Sequence, residues 1–549
     1  MNENVFTLFS AMSGIRDDLV LDSAAFVGNA SAAVGAAVGG KKSGKRSTRL
    51  RWPVLGLAAS ILLVVGIGVS VLGNAFGFFE IFPSINPPVV IPPVGSQPVT
   101  GDDTGAEETE PSYDEDYHVE KNDYNDSFTI VYSEEDVKPE YYFADVENGD
   151  STALSREAVE RIRATEAYLG VEIASIGEES GYECMRKIGL SYGAGERGVY
   201  NMVMADDLAS ILSLAPYLCD LKSMDRLNLF AGYWGSDFNQ HLEIAGKQLI
   251  AYNSFLLPDG PAVSFNRALV NQYFTDAELY RLVEEKKWTM ETMMGYVTAY
   301  GGETDDGDGW DTPSYGLAVD SFDLLSAFFT SSEIRMMKAD DKGFVVSALD
   351  DVERIQGVEA FAKDLIARTT TNGVYNYDFD SMLKDGSVMF ELSLLSARME
   401  SGTQSVDVGI LPYPLYDVAQ TDYRTLYTGG YVALLSDSNS LDMACDVLET
   451  LAYQSSGMQK AYEETFLRRA GCGSTVDLQM LRRICRSMTP ELMRVLQGSC
   501  SETVKMWGAM AANYDPETGS MDVVGAIEAA QNRMPFLERL FRDIAGNNG

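Results

Sequence analysis

Histidine is nearly absent from this chain of 549 residues, which contains only His118 and His241. Catalysis by an imidazole base and metal sites built from several histidines are therefore almost excluded. His118 lies in an acidic, loop-like stretch and is predicted to be solvated. His241 follows an aromatic segment and is predicted to be a packed side chain rather than a ligand.

The chain also lacks any pair of cysteines with CxxC spacing, so zinc and thioredoxin-like functions have no support. Six cysteines are present, namely Cys184, Cys219, Cys445, Cys472, Cys485 and Cys500. Their pairing cannot be deduced from their spacing, and disulfides and buried free thiols both remain open.

Positive charge is scarce, with 42 lysines and arginines against 81 aspartates and glutamates and a net charge of −39. The first 52 residues are the basic exception, so the acidity belongs to the part that follows them. A surface this negative repels nucleic acid and anionic lipid headgroups. Nucleic acid is therefore not expected as a partner.

One apolar run has the length of a membrane span. Residues 52–79 carry no charged side chain, which exceeds the roughly 20 residues that cross the hydrocarbon core as a helix. Basic residues cluster at 41–51, just before the run, and Glu80 follows it. Because basic flanks stay in the cytoplasm, the N-terminus is expected inside and the bulk outside. A cleaved signal peptide is the alternative, but its apolar core and leading region would be shorter, which favours an uncleaved anchor.

Composition divides the chain further. Residues 1–51 are predicted to be a cytoplasmic tail, residues 52–80 a single transmembrane helix, and residues 81–126 a linker that is first proline-rich and then acidic. The acidic part cannot bury enough apolar surface to fold. Residues 127–549 are predicted to form a folded extracellular domain held at the cell membrane.

Strand and helix patterns alternate within that domain. The sequence FTIVY at 128–132 is rich in β-branched and aromatic residues, and a helix is predicted over residues 155–169. Further strands are predicted at 171–173 and 202–204, followed by a helix from Leu208. This order predicts an α/β fold with largely parallel sheets.

Several short motifs then occur in a fixed order: VYNMVMADD at 199–207, YLCDL at 217–221, YW at 233–234, AGKQLIAY at 245–252, FNR at 265–267, KWTME at 287–291, FE at 390–391, VGILPYP at 408–414 and YVAL at 431–434. In this order they resemble the extracellular solute-binding proteins of ABC importers, of the maltose-binding type (family 1). The resemblance covers residues 126–549. One departure is Arg267, which stands where the family has lysine.

The resemblance implies a two-lobed, periplasmic-binding-protein-like α/β fold of type II, preceded here by the transmembrane helix. The lobes are expected at about 127–255 with 391–455, and at about 262–390 with 456–549. The first crossing between lobes is expected near 250–262 and the return near 390. Within KWTME, Thr289 is expected to cap a helix and Trp288 to pack it onto the core.

Sugar recognition requires flat aromatic faces against C–H surfaces and fixed polar groups for hydroxyls, in a cleft between the lobes. The ligand-binding candidates that the resemblance implies are Asp206, Asp207, Tyr233, Trp234, Phe265, Glu391, Arg398 and Tyr431. For the aromatic residues the alternative is ordinary core packing. For the two aspartates it is a solvated helix N-terminus, where carboxylates are favoured in any case. No catalytic residue is predicted.

The acidic segment 305–311 (DDGDGWD) is similar to a calcium-loop-like sequence that family members often carry here. If Gly309 is the turn glycine, Asp306 and Asp308 fall on ligand positions. Thr304 and Tyr315, however, stand where the first and terminal acids belong. An acidic surface turn is therefore favoured, and no metal or cofactor is predicted.

The resemblance implies capture of a small solute, a sugar or oligosaccharide, for delivery to an ABC permease. The alternative is a receptor that relays the ligand state to the cytoplasmic tail, because there is no lipid-anchor cysteine near the span and transport needs no such tail. A glycan-cleaving enzyme is a third class, but no pair of carboxylates is marked as catalytic. The protein is therefore predicted not to be an enzyme.

Overall fold

The computed structural model describes residues 117–491 apart from residues 136, 144–151, 206–216, 245, 301, 305–311, 320–322, 336, 340–344, 349–350, 371–381, 384–385, 401–405, 437 and 439. Several predictions fall outside these residues: the tail, the membrane span and most of the linker, Asp206 and Asp207, the helix from Leu208, the acidic segment and Cys500. Within the described part, no helix is both long and apolar enough to span a membrane.

The described residues contain thirteen strands and thirteen α-helices. The strands are β1 (Asp126–Ser133), β2 (Val171–Glu178), β3 (Met202–Ala205), β4 (Pro261–Asn266), β5 (Gly302–Thr304), β6 (Thr312–Val319), β7 (Met337–Ala339), β8 (Val345–Ser347), β9 (Val388–Leu394), β10 (Val408–Leu411), β11 (Thr425–Leu426), β12 (Tyr431–Leu434) and β13 (Met488–Thr489). The helices are α1 (Pro139–Tyr142), α2 (Ala153–Leu169), α3 (Gly181–Ala194), α4 (Ser236–Asn239), α5 (Arg267–Tyr273), α6 (Asp276–Glu284), α7 (Met290–Ala299), α8 (Asp323–Ser331), α9 (Val352–Thr370), α10 (Leu395–Glu400), α11 (Leu441–Gln454), α12 (Met458–Arg469) and α13 (Thr475–Arg486).

The first lobe is built on a four-stranded sheet with the order β12-β3-β1-β2. β1 runs parallel to both β2 and β3, and β12 lies antiparallel to β3 at the edge. Phe128, Ile130 and Val131 of β1 are fully buried, as expected for a central strand in a parallel arrangement. α2 packs against both α11 and α12, so the helical layer joins segments that are far apart in sequence.

The second lobe is built on a five-stranded sheet with the order β10-β4-β9-β6-β5. β4 is antiparallel to both β10 and β9, and β9 runs parallel to β6. Every residue of β4 is buried. α13 packs against β10 and α7 against β6, while β11 pairs with β13.

Several strands and helices form where local sequence patterns predict them. The strands at 128–132, 171–173 and 202–204 and the helix at 155–169 are confirmed by β1, β2, β3 and α2. At the start of α7, the Thr289 side chain accepts a hydrogen bond from the backbone N–H of Thr292, which confirms the predicted cap. Trp288 is fully buried, and its indole N–H donates to the Pro412 carbonyl oxygen at 2.9 Å.

Three parts of the predicted lobe boundaries are wrong. The prediction assigns residues 408–411 to the first lobe, but β10 pairs with β4 in the second sheet. A short apolar strand fits either sheet, and the long-range pairing that decides between them leaves no local mark. The predicted return near residue 390 is also wrong, because β9 lies in the middle of the second sheet. α12, assigned to the second lobe, packs against α2 of the first.

Within the described residues, the chain passes between the lobes at three places. Residues 252–260 lead from the first lobe to β4, and residues 427–430 lead from β11 back to β12. Residues 470–474 then connect α12 to α13 on the second lobe. Several segments that cross between two lobes together form a hinge. The first crossing, at residues 252–260, lies within the predicted range of about 250–262.

No two cysteines of the described residues form a disulfide. Cys445 and Cys472 are buried side chains, and burial raises the pKa of the Cys445 thiol to about 12. Burial also raises the pKa of Cys472 and of Cys485. These three thiols therefore stay protonated at neutral pH and behave as small apolar side chains.

Candidate ligand-binding site

The hinge lies at the carboxyl edge of the first sheet. Tyr431, the first residue of β12, pairs with Ala205, the last residue of β3, so the crossing at 427–430 arrives where the parallel strands end. In α/β sheets, ligands bind in the crevice outside the carboxyl ends of the strands. The hinge therefore marks the edge at which a ligand is expected.

Asp259 ties two crossings together. One carboxylate oxygen, Oδ1, accepts from the backbone N–H groups of Gly260 and Ser396, both at 2.9 Å. The other, Oδ2, accepts from the hydroxyls of Ser396 at 2.8 Å and Thr428 at 3.3 Å. The Thr428 N–H also donates to the Asp259 backbone oxygen at 3.0 Å. A single side chain thus joins the first crossing, the start of α10 and the second crossing.

Burial and hydrogen bonding act in opposite directions on Asp259. Burial raises the pKa of its carboxyl group, and the four donors partly offset this by stabilising the charged form. Gly260 is required beside it, since a Cβ there would lie 2.6 Å from the Leu426 carbonyl oxygen. The two crossings therefore lie so close together that no residue larger than glycine fits at position 260.

An aromatic cluster lies beside the hinge. It consists of Phe238, Tyr252, Tyr427 and Tyr431, and we call it the hinge aromatic cluster. The Phe238 ring centroid is 4.9 Å from that of Tyr252 and 5.0 Å from that of Tyr427. Tyr427 and Tyr431 are buried, whereas Phe238 and Tyr252 are half-buried. Half-buried flat rings offer the surface against which the C–H face of a sugar packs.

Tyr233 and Trp234 lie in a short 3-10 helix, Gly232–Trp234, in the interior of the first lobe. The Tyr233 hydroxyl and the Trp234 indole N–H both donate to the carboxylate of Glu449 on α11, at 2.6 and 2.7 Å. The Asn228 backbone N–H donates to the same group at 3.2 Å, and burial raises the Glu449 pKa. These contacts favour a packing role, and contact of the two aromatic residues with a ligand stays a prediction.

Three further candidates lie in or next to the second sheet. Phe265 in β4 packs beside Phe390, with ring centroids 6.3 Å apart. Glu391 in β9 accepts a hydrogen bond from Arg398 on α10 at 2.9 Å, and both side chains are buried. Buried charges persist when they are paired in this way. α10 also carries Ser396, which contacts Asp259, and contact of the Glu391–Arg398 pair with a ligand stays a prediction.

Arg267, the departure from the family pattern, is a structural residue of the second lobe. It forms ion pairs with Asp276 at 2.6 Å, Asp407 at 2.9 Å and Asp477 at 2.8 Å. Asp477 is fully buried and completes a capping box with Ser474 at the start of α13. The substitution therefore supports packing around β10.

One polar contact joins the lobes away from the hinge residues. His241 belongs to the first lobe, and Arg335 follows α8 in the second. Arg335 Nη1 is 2.9 Å from His241 Nδ1, and Nη2 is 3.1 Å from Nε2. His241 is predicted to be a packed side chain rather than a ligand, and the structure places it at the lobe boundary, where it is largely exposed and lies against the Arg335 guanidinium rather than in a core.

The His241 imidazole is neutral at physiological pH. Partial burial and then the positive charges of Arg335 and Arg424 lower its pKa to about 4, and Asp237 opposes them. Among the described residues, no cluster of histidine, cysteine and acidic side chains has the arrangement of a metal site.

No protein-family model matches the chain, and no curated protein matches its sequence. Solved structures do match. The galacto-N-biose-/lacto-N-biose I-binding protein of the ABC transporter from Bifidobacterium longum, solved with lacto-N-biose, has a TM-score of 0.51 and 13% identity. The match covers 76% of this chain and 97% of that one. This likeness shows that the described residues share the two-lobed α/β fold of that protein.

Two other matches are weaker in geometry. The maltose-maltodextrin binding protein of Alicyclobacillus acidocaldarius is 13% identical, with a TM-score of 0.45, and the match covers 74% of this chain and 100% of that one. A cyclo/maltodextrin-binding protein solved with maltotetraose is 14% identical, with a TM-score of 0.47, over 77% of this chain and 97% of that one.

The two-lobed fold separates the predicted site residues. Tyr431 belongs to the hinge aromatic cluster and Arg398 lies on α10, which contacts the hinge through Ser396, whereas the other described candidates are in the lobe interiors. The sequence analysis missed Phe238, Tyr252, Tyr427, Arg335 and Arg424. A signal existed for Tyr252, which ends the AGKQLIAY motif, but the two arginines follow no motif.

Proposed function

We propose that this protein is a non-enzymatic, extracytoplasmic solute-binding protein that captures a sugar or oligosaccharide between its lobes for an ABC permease. The observation that carries the proposal is the hinge, where three crossings of the described residues connect two α/β lobes and the crossing at 427–430 arrives at the carboxyl ends of the parallel strands of the first sheet. A ligand that contacts both lobes shifts the population toward the closed form, and a permease can distinguish the two forms.

Two features support a sugar as the ligand. The half-buried rings of Phe238 and Tyr252 stand at the hinge, where stacking on a sugar face is available. A solved protein of the same fold is named for two disaccharides, galacto-N-biose and lacto-N-biose. We further propose that residues 52–79 anchor the protein in the cell membrane with residues 1–51 in the cytoplasm, on the basis of the flanking charges.

The test is a thermal-shift screen of the full-length protein in detergent against neutral and acidic mono- and oligosaccharides. A ligand that binds only the folded state raises the melting temperature by mass action. A shift confined to one sugar class, with a smaller radius of gyration by X-ray scattering, supports the proposal. If no sugar of either kind shifts the melting temperature, the proposal fails and the sensing receptor becomes the favoured function.

A pair of variants localises the binding. Tyr252→Ala removes a ring of the hinge aromatic cluster and should weaken or abolish the sugar-induced shift. Tyr273→Ala removes an exposed tyrosine at the end of α5 and should leave that shift unchanged. Equal effects of the two changes contradict binding at the hinge.

A further inference from the structure

Two arginines of the second lobe, Arg354 and Arg424, lie beside Glu333 near the lobe boundary, and Arg335 is close enough to be affected by the charge of Arg424. Glu333 is 3.9 Å from Arg354 Nη1 and 3.8 Å from Arg424 Nε, distances too long for hydrogen bonds. Burial lowers the pKa of Arg335, while the charge of buried Glu491 opposes this and the charge of Arg424 adds to it. In a chain with a net charge of −39, this concentration of cations is unusual.

His241 offers too few hydrogen-bond acceptors for the donors of the Arg335 guanidinium. Among the described residues, both of its hydrogen-bond contacts are to the ring nitrogens of His241. A neutral imidazole has one acceptor nitrogen and one N–H group, so one of these contacts places two donors against each other. A guanidinium carries five N–H donors in a fork that matches a carboxylate. An anion at this position would supply the acceptors that His241 does not.

We propose that Arg335 and Arg424 form an anion subsite at the lobe boundary, so that the captured solute is an acidic sugar held by its carboxylate. The inference rests on the proposed function and specifies its ligand class. The carboxylate accepts hydrogen bonds from the Arg335 fork, and His241 contacts it from the first lobe. Because the two sides of the subsite belong to different lobes, binding of the carboxylate favours the closed form.

The subsite also predicts how binding depends on pH. His241 is faced by Arg335 and Arg424 from the second lobe and by Asp237 from its own segment. The two cations depress its pKa, and an anion between them counteracts their effect, so the complex binds a proton more readily than the free protein. Affinity for the acid should therefore rise as the pH falls from neutral toward the His241 pKa of about 4 in the free protein, as long as the sugar carboxylate stays ionised.

The experiment is isothermal titration of the full-length protein in detergent with matched sugars, glucuronate against glucose and galacturonate against galactose. We expect the acid of at least one pair to bind roughly tenfold or more tightly than its neutral counterpart, as a charge-assisted hydrogen bond implies. Arg335→Gln and Arg424→Gln should each remove most of this difference. His241→Asn should remove the pH dependence.

Arg281→Gln is the matched control, since it deletes one positive charge from an exposed ion pair on α6 of the same lobe. It should leave the preference for the acid unchanged. If Arg335→Gln does not fold, Arg335→Lys keeps the charge without the fork and should lose part of the preference.

The outcomes separate the two proposals. Equal affinity for acid and neutral sugars overturns the anion subsite and leaves sugar capture standing. If no sugar gives a binding signal, the proposed function itself is contradicted. Arginine-dependent binding of sodium sulfate, with no binding of either sugar acid, overturns the assignment to a sugar carboxylate in favour of an inorganic anion.

Discussion

At the scale of single residues, Asp259 is the side chain on which the hinge depends most. Asp259→Ala leaves four donors from Gly260, Ser396 and Thr428 without their acceptor. Each buried group left unsatisfied costs about 1–3 kcal/mol, so we expect a loss of at least that size in the free energy of unfolding. Urea unfolding followed by circular dichroism measures it.

Asp259→Asn should cost less than the alanine change, because the amide keeps one acceptor oxygen. Glu285→Gln is the control, since it alters an exposed carboxylate in the second lobe and should not move the unfolding midpoint. An alanine variant as stable as the wild type would mean that water replaces the carboxylate and that Asp259 does not hold the crossings together.

At the scale of elements, the start of α7 offers a direct test of a cap. Thr289→Ala removes the side-chain acceptor of the Thr292 N–H and should lower the free energy of unfolding by about 1 kcal/mol. Thr298→Ala, near the end of the same helix, removes only an exposed bond to the preceding turn and should have little effect. Thermal unfolding of both variants gives the comparison, and a smaller loss for Thr289→Ala than for Thr298→Ala contradicts the capping role.

Elements with local signals were predictable from the sequence, and long-range pairings were not. β1 and α2 follow from residue periodicity, and α7 follows from its capping threonine. β10 was assigned to the wrong lobe because VGIL carries no information about which strand it pairs with. The fold class could therefore be predicted from the sequence. The path of the chain between the lobes could not, because it depends on which strands pair with each other.

The candidate site shows the same division. The sequence marks Tyr233 and Trp234 as paired aromatics, but their partner Glu449 is 216 and 215 positions away and has no motif. His241 meets Arg335 across 94 positions, which no local pattern indicates. Aromatic residue types could be predicted as candidates, whereas their exposure depends on tertiary contacts that periodicity does not encode.

At the scale of the whole molecule, the net charge of −39 makes stability depend on ionic strength. Excess charge of one sign destabilises the compact state, and salt shortens the screening length from about 30 Å at 0.01 M to about 8 Å at 0.15 M. We therefore expect the melting temperature to rise over this range of sodium chloride, as measured by calorimetry.

Potassium chloride should give the same increase, because screening does not depend on which monovalent cation is used. A melting temperature that falls with salt would show that local ion pairs, such as those of Arg267, outweigh the general repulsion.

The three crossings also determine how late in synthesis each lobe receives the last of its segments. β1, β2 and β3 emerge early, but their sheet lacks its edge strand β12, and α2 lacks the helices α11 and α12 that cover it, until most of the second lobe has been made. Domains usually fold as units in the order of translation, N-terminal part first. Here the lobe that begins first cannot close its core until residues 431–469 have been added, so its early segments must stay unaggregated while the later lobe is translated.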